Sequence, residues 1–212
     1  MIKGILFDLD GTLLDTNTLI LQSFKHTFRT HLNIEVDDKE IINSFGEPLL
    51  TTLERYSKEE GEAMIDVYRE FNVANHDSMT TIFHGVEETL KALKEKGYKL
   101  SIVTSKGEAV AIRGLKLFDI MKYFDQVITP ECTEKHKPNP EPIFEACNRL
   151  GIKPSECIMV GDSKYDILCG QNAGAFTCLV GYTAIGSDSF AGINPNFKIN
   201  KLDEILDILH LI

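Results

Sequence analysis

The feature that most restricts the fold of this chain is a rhythm of short apolar runs separated by helical periods. The runs fall at residues 5–9, 99–103, 126–129, 156–160 and 177–180, with a weaker one at 197–199. A short run without polar alternation suits a parallel strand buried on both faces. Helical periods cover residues 86–96, 108–118, 140–150, 162–173 and 202–212. Gly97 and Gly151 stand where helix C-termini favour glycine, and Pro140 where a first helical turn tolerates proline. Strand and helix in alternation predict an α/β fold, a Rossmann-like core built on a mostly parallel sheet.

The rhythm breaks once. Between Asp15 and Met79 every periodic segment is helical: 18–32, 39–45, 49–56 and 59–75. In the first of these Leu19, Ile20, Phe24, Phe28 and Leu32 recur at helical spacing. The reading is an inserted α-helical cap domain at 15–79 on a catalytic core made of 1–14 and 80–212. Residues 15–17 and 79–83 are the expected hinges.

Composition narrows the class of partner. The 212 residues are 43% hydrophobic and 25% charged, with 22 Lys and Arg against 32 Asp and Glu, a net charge of −10. Such a surface repels nucleic-acid phosphates and anionic lipid, so neither is an expected partner. No apolar run approaches the roughly 20 residues that span a bilayer, and no targeting segment is evident. The five cysteines are odd in number and lack a C-x-x-C pair. They read as reduced thiols of a cytoplasmic protein, with no zinc site. The expected assembly is a monomer or weak dimer.

Ligands of open parallel sheets bind at the carboxyl ends of the strands. Past the first run stand Asp8, Asp10, Gly11 and Thr12. Past the second stand Thr104 and Ser105. The third leads to the loop 134–142 with Lys135, His136 and Lys137, and the fourth to Gly161, Asp162, Ser163 and Asp166. Singly, each has an ordinary structural role as a turn, helix-cap or solvated residue. Together they do not. Like charges about 4 Å apart repel by roughly 4 kcal/mol per pair at an effective dielectric of 20. Carboxylates gathered at one edge therefore call for a cation, and oxygen-only ligands favour Mg2+.

These residues resemble the haloacid dehalogenase superfamily. The stretch Asp8-Leu9-Asp10-Gly11-Thr12-Leu13-Leu14-Asp15 is similar to its first motif, DxDGTxxD. Thr104 resembles the second motif, Lys137 in K-P-x-P the third, and Gly161-Asp162-x-x-x-Asp166 the fourth. The motifs keep their order across almost the whole chain. The helical insertion between the first two is similar to the cap of the phosphoglycolate phosphatase-like branch.

The resemblance implies a magnesium-dependent phosphatase acting through an aspartyl-phosphate. It implies Asp8 as nucleophile and Asp10 as general acid and base. The metal ligands would be Asp8, the backbone carbonyl of Asp10, Asp162 and, directly or through a neighbour, Asp166. Thr104, Ser105 and Lys137 would hold the phosphoryl group, with Thr104 and Lys137 also catalytic. Asp10 separates this chain from dehalogenases, which typically lack it, and from P-type ATPases, which carry Thr there. The implied substrate is a small phosphoester or phosphoanhydride, such as 2-phosphoglycolate or pyrophosphate. The alternative is a phosphomutase of the β-phosphoglucomutase type, and a non-catalytic regulatory protein ranks lower. A phosphonatase would need a cap lysine, for which Lys25, Lys39 and Lys58 are the candidates. Within the cap, the loop Phe45-Gly46-Glu47-Pro48 is the first candidate to touch substrate, through the close approach that Gly46 allows. His26, Arg29, Arg55 and Arg69 are the other polar cap residues considered.

Overall fold

The computed structural model describes residues 1–211. Strands β1 (Gly4–Phe7), β4 (Lys99–Val103), β5 (Gln126–Ile128), β6 (Cys157–Gly161), β7 (Phe176–Val180) and β8 (Phe197–Ile199) form one six-stranded sheet in the order β5-β4-β1-β6-β7-β8. Every pairing in it is parallel. Between them run α5 (Val86–Glu95), α6 (Glu108–Leu117), α7 (Glu141–Leu150) and α8 (Lys164–Ala173), and α9 (Ile205–Ile208) follows the last strand. The expected α/β core is present.

Alternation of side chains along each strand feeds two cores. Ile5 and Phe7 of β1 point to the face covered by α5, α6 and α9, where they meet Leu90, Leu115 and Ile205. Leu6 points to the opposite face, among Ile143 and Cys147 of α7 and Cys169 of α8. All of these except Cys147 are fully buried, and burying one such Leu or Ile side chain contributes roughly 1.5–3 kcal/mol. The sequence order reverses at β1, whose neighbours are β4 and β6. The switch point therefore lies between the ends of β1 and β6.

The helical insertion is also present. It comprises α1 (Asn17–Thr27), α2 (Asp38–Ile42), α3 (Leu49–Glu54) and α4 (Gly61–Met79). These pack around their own apolar cluster, with Phe24, Phe28, Leu53 and Met64 inside. A short antiparallel pair of β2 (Leu14–Asp15) and β3 (Thr81–Ile82) ties its two ends together, with Asp15 opposite Thr81.

Element ends differ from expectation in physically explicable ways. The helix expected at 18–32 stays α-helical only to Thr27, continues as a wider π turn over Phe28–Leu32, and stops at Asn33 in a left-handed conformation. The helix expected from 162 begins at Lys164, because Ser163 caps it: its hydroxyl accepts from the Asp166 N–H while Asp166 returns a bond to the Ser163 N–H. The last helix, expected over 202–212, is a 3-10 turn and one α turn ending at Ile208; Ile212 lies outside the described residues.

Candidate active site

The sheet's switch point gathers the acidic residues. Asp8 follows β1 and remains in the ladder, its N–H donating to the Val160 carbonyl at 2.9 Å. Asp162 follows β6, and Asp166 lies on the first turn of α8. Oxygen atoms of Asp8, Asp162 and Asp166 all lie within 4.8 Å of one another, and all three residues are buried. Gly11 makes this convergence possible. It sits at φ +78, and a Cβ there would lie 2.2 Å from an Asp162 carboxylate oxygen. Only glycine combines that backbone conformation with that approach.

Lys137 enters from the loop before α7. Its Nζ donates to Asp8 at 2.7 Å, Asp166 at 2.6 Å and the Val103 carbonyl at 3.1 Å. All three ammonium protons are thereby committed. Burial opposes its charge, but the Asp166 and Asp8 carboxylates more than offset that and hold it protonated. One ammonium does not satisfy three buried acids. Burial, partly opposed by Lys137 and reinforced by Asp166 and Asp10, pushes Asp8 up to about 7. Burial, then Asp166 and Asp8, push Asp162 well above the ordinary carboxylate range. The donor set is all oxygen and short of positive charge, which fits a hard divalent cation such as Mg2+.

The predicted residues are not equivalent within the cluster. Both oxygens of Asp166 are occupied, one by Lys137 and the other by the N–H and hydroxyl of Ser163. Asp166 is thus the link between Lys137 and the α8 N-terminus. Thr104 is buried beside the cluster, and its Oγ1 accepts from the Lys106 N–H at 3.1 Å. Ser105 is exposed on the cavity wall. Asp10 stands apart from the other acids, with both carboxylate oxygens 2.8 Å from the Lys106 ammonium.

Above the cluster lies a cavity of about 470 Å³ between helical layer and sheet. Its roof includes Phe45, Gly46, Tyr68 and Arg69. Gly46 lines it, but for a different reason from the one expected. At φ +80, a Cβ on Gly46 would sit 2.6 Å from the Ser163 Cβ. The close approach is to the core loop beside Asp162. The next residue fixes that contact: Glu47 accepts from the Tyr165 hydroxyl of α8 at 2.9 Å and from the Thr52 hydroxyl at 2.9 Å, and pairs with Arg55. The cap loop is fastened to the segment that carries Asp162 and Asp166. Gly46→Ala should therefore loosen the cap loop, since a left-handed alanine costs about 1–2 kcal/mol before any clash with Ser163. Faster amide exchange over 43–48 with unchanged exchange in β1 is the expected result. Identical exchange in both segments would show that this contact does not fasten the loop.

Other cap residues are excluded by position. Arg29 pairs with Glu35 at 2.8 Å, His26 stacks on Phe71, and Lys25 pairs with Asp38 at 2.6 Å. None of these lines the cavity, nor do Lys39 and Lys58. A cap lysine for phosphonatase chemistry is thus not in place. Arg69 is the cap cation that does line it.

Sequence reasoning missed three contributors. Lys106 follows Thr104 by two residues, a spacing that could have flagged it. Tyr165 lies between the two acids of the fourth motif. The third is the loop after β7: Thr183 Oγ1 donates to Asp162 at 3.1 Å, the Tyr182 hydroxyl donates to the Thr12 carbonyl at 2.8 Å, and Ile185 enters the helical cluster.

Buried acids and a lysine at the switch point of a parallel sheet, under a helical layer, are the arrangement of haloacid dehalogenase-like hydrolases. That family matches residues 5–180, and the chain belongs to it. The chain is 44% identical over 208 residues to the pyrophosphatase PpaX of Halalkalibacterium halodurans, covering 98% of this chain and 97% of that one. A Clostridium perfringens relative, provisionally given the same name, is 52% identical over 209 residues, covering 99% and 98%. Among solved structures, a haloacid dehalogenase-like family hydrolase from Streptococcus pneumoniae superposes with a TM-score of 0.88 at 25% identity, over 98% of each chain. The chain is accordingly an enzyme of the phosphatase type. Among the described residues no helix is long and apolar enough to cross a membrane.

Proposed function

We propose that the protein is a cytoplasmic, Mg2+-dependent pyrophosphatase with a covalent aspartyl-phosphate intermediate. The observation that carries this reading is the Asp8–Lys137–Asp166 bridge beside Asp162, at the floor of a cavity closed by helices. Similarity to relatives named pyrophosphatase supports pyrophosphate as the substrate.

In the first step an Asp8 carboxylate oxygen attacks phosphorus and the bond to the leaving oxygen breaks. Asp10 gives that oxygen its proton. Asp10 then takes a proton from water, which attacks the same phosphorus and releases Asp8 and orthophosphate. Lys137 holds Asp8 on line and faces the phosphoryl oxygens, with Thr104 and Ser105 as further phosphoryl contacts. Asp166 positions Lys137 and the start of α8. Asp8, Asp162 and the Asp10 carbonyl would hold Mg2+, which supplies the positive charge that the three buried acids lack and stabilises negative charge on the phosphoryl group. The helical layer, residues 15–79 as a cap, excludes bulk water and shapes the room left for the leaving group.

The test is a panel of pyrophosphate and small phosphomonoesters assayed with Mg2+, followed by acid quench and mass mapping of the phosphorylated peptide. Pyrophosphate should be the best substrate, with the label on Asp8. Turnover that waits for a sugar acceptor would favour the phosphomutase. A label elsewhere would remove the covalent reading.

A further inference from the structure

The mechanism requires Asp10 to be free, and in this structure it is held. Lys106 Nζ donates to both Asp10 oxygens at 2.8 Å, and the two side chains are only 10% and 19% exposed. A carboxylate turned onto an ammonium through both oxygens does not present itself to a leaving group. The loop carrying Lys106 is itself anchored, its N–H on Thr104 and its chain running into the N-terminus of α6 at the cavity wall.

The other cations of the cavity frame the role of Lys106. The cavity is lined by Lys137, Lys106 and Arg69. Lys137 has spent its three protons on Asp8, Asp166 and Val103. Lys106 has spent two, both on Asp10. Among the core cations it is the one with a partner that a substrate can replace.

We propose that Lys106 is a specificity-determining residue: it clamps Asp10 in the resting enzyme and moves to an anionic leaving group when one binds, releasing Asp10 for proton transfer. This rests on the phosphatase reading above and adds the charge of the leaving group as the selected property. In pyrophosphate the leaving group is a second phosphate, an anion able to compete for an ammonium. When Lys106 leaves, both Asp10 oxygens are free to serve as the general acid and base described above. As the bridging P–O bond breaks, its electron pair stays on the leaving oxygen and the Asp10 proton neutralises it. Arg69, brought by the cap, adds positive charge over the same space. A substrate whose leaving group lacks a second charge has nothing to draw Lys106 away.

The experiment compares pyrophosphate with phenyl phosphate, whose leaving oxygen also needs a proton but which brings no second anion. Losing one hydrogen bond to a charged group costs about 10- to 100-fold in rate. Lys106→Met should lower kcat/KM for pyrophosphate by that factor more than for phenyl phosphate. Lys106→Arg should recover part of the difference. Equal losses on both substrates, or none on pyrophosphate, would overturn the proposal. If Lys106→Met melts below assay temperature, Lys106→Gln serves the same comparison. If the wild-type enzyme fails to turn over pyrophosphate, the substrate reading is wrong. The clamp is then read between 2-phosphoglycolate, whose leaving group carries a carboxylate, and phenyl phosphate, by the same criterion.

Discussion

Asp8→Asn should abolish turnover of every phosphorylated substrate while making the metal-free protein more stable. The amide oxygen is a poor nucleophile, and removing a covalent nucleophile costs about 10⁴-fold or more in kcat. The stability change has the opposite sign from the one a damaged core would give. Asp8 is buried against Asp166 and Asp162, and its carboxyl is pushed up to about 7. Above that pH the wild-type fold carries an ionised group it would prefer to protonate. An isosteric amide removes that cost, and Lys137 keeps Asp166 as its partner at 2.6 Å. The expected gain at pH 8 without metal is on the order of 2 kcal/mol, seen as a rise in melting temperature. A variant that retains most activity would remove Asp8 from the mechanism. A variant that is inactive and less stable would mean that Asp8 contributes to the fold, and inactivity would then say little about chemistry.

Such a trade of stability against activity is where a site becomes legible in a sequence. Asp8, Asp10, Thr104 and Asp162 could be found because each lies just past an apolar strand, and Lys137 and Asp166 because they lie in the loop or helix turn that follows one; a parallel sheet brings those positions to one edge. The strands are buried on both faces, so their runs stand out from the helices between them. The remaining parts of the site follow no such rule. Thr183 reaches Asp162 from a loop after β7 with no repeating pattern. The Glu47–Tyr165 bond joins residues 118 apart, and nothing local to either one announces the other. Gly46 was legible as a close approach, but not the surface approached, since that depends on how the helices sit on the core. Lys106 shows the limit most clearly. Its position near Thr104 is evident, but its partner is the second acid of the first motif, 96 residues away. Secondary-structure rhythm places backbone ends, whereas side-chain pairing between loops depends on geometry the rhythm does not encode.

Removal of the metal is the second large perturbation, and it should couple activity, stability and protons. With chelator, activity should disappear; Mg2+ should restore it, and Ca2+ should inhibit, because its looser coordination misplaces the attacking oxygen. The metal-free fold should also respond to pH in a particular direction. Asp8 and Asp162 are raised above the ordinary aspartate value of about 4, so the folded chain holds more protons than the unfolded chain above that pH. Stability must then fall as pH rises from about 4 through about 7, where Asp8 loses its proton. A divalent cation reverses that trend by replacing the protons. Titration calorimetry with Mg2+ at pH 6, in buffers of different ionisation heat, should therefore register proton release on binding, close to one proton from Asp8 and a further contribution from Asp162. For Asp8 that release should vanish above pH 8, where its carboxylate is already ionised; Asp162 sets any remainder. Full activity after exhaustive chelation would refute the metal requirement. Stability that climbs with pH across this window in chelator would show that the acids are not held against their charge, and the electrostatic case for a cation at this site would fall with it.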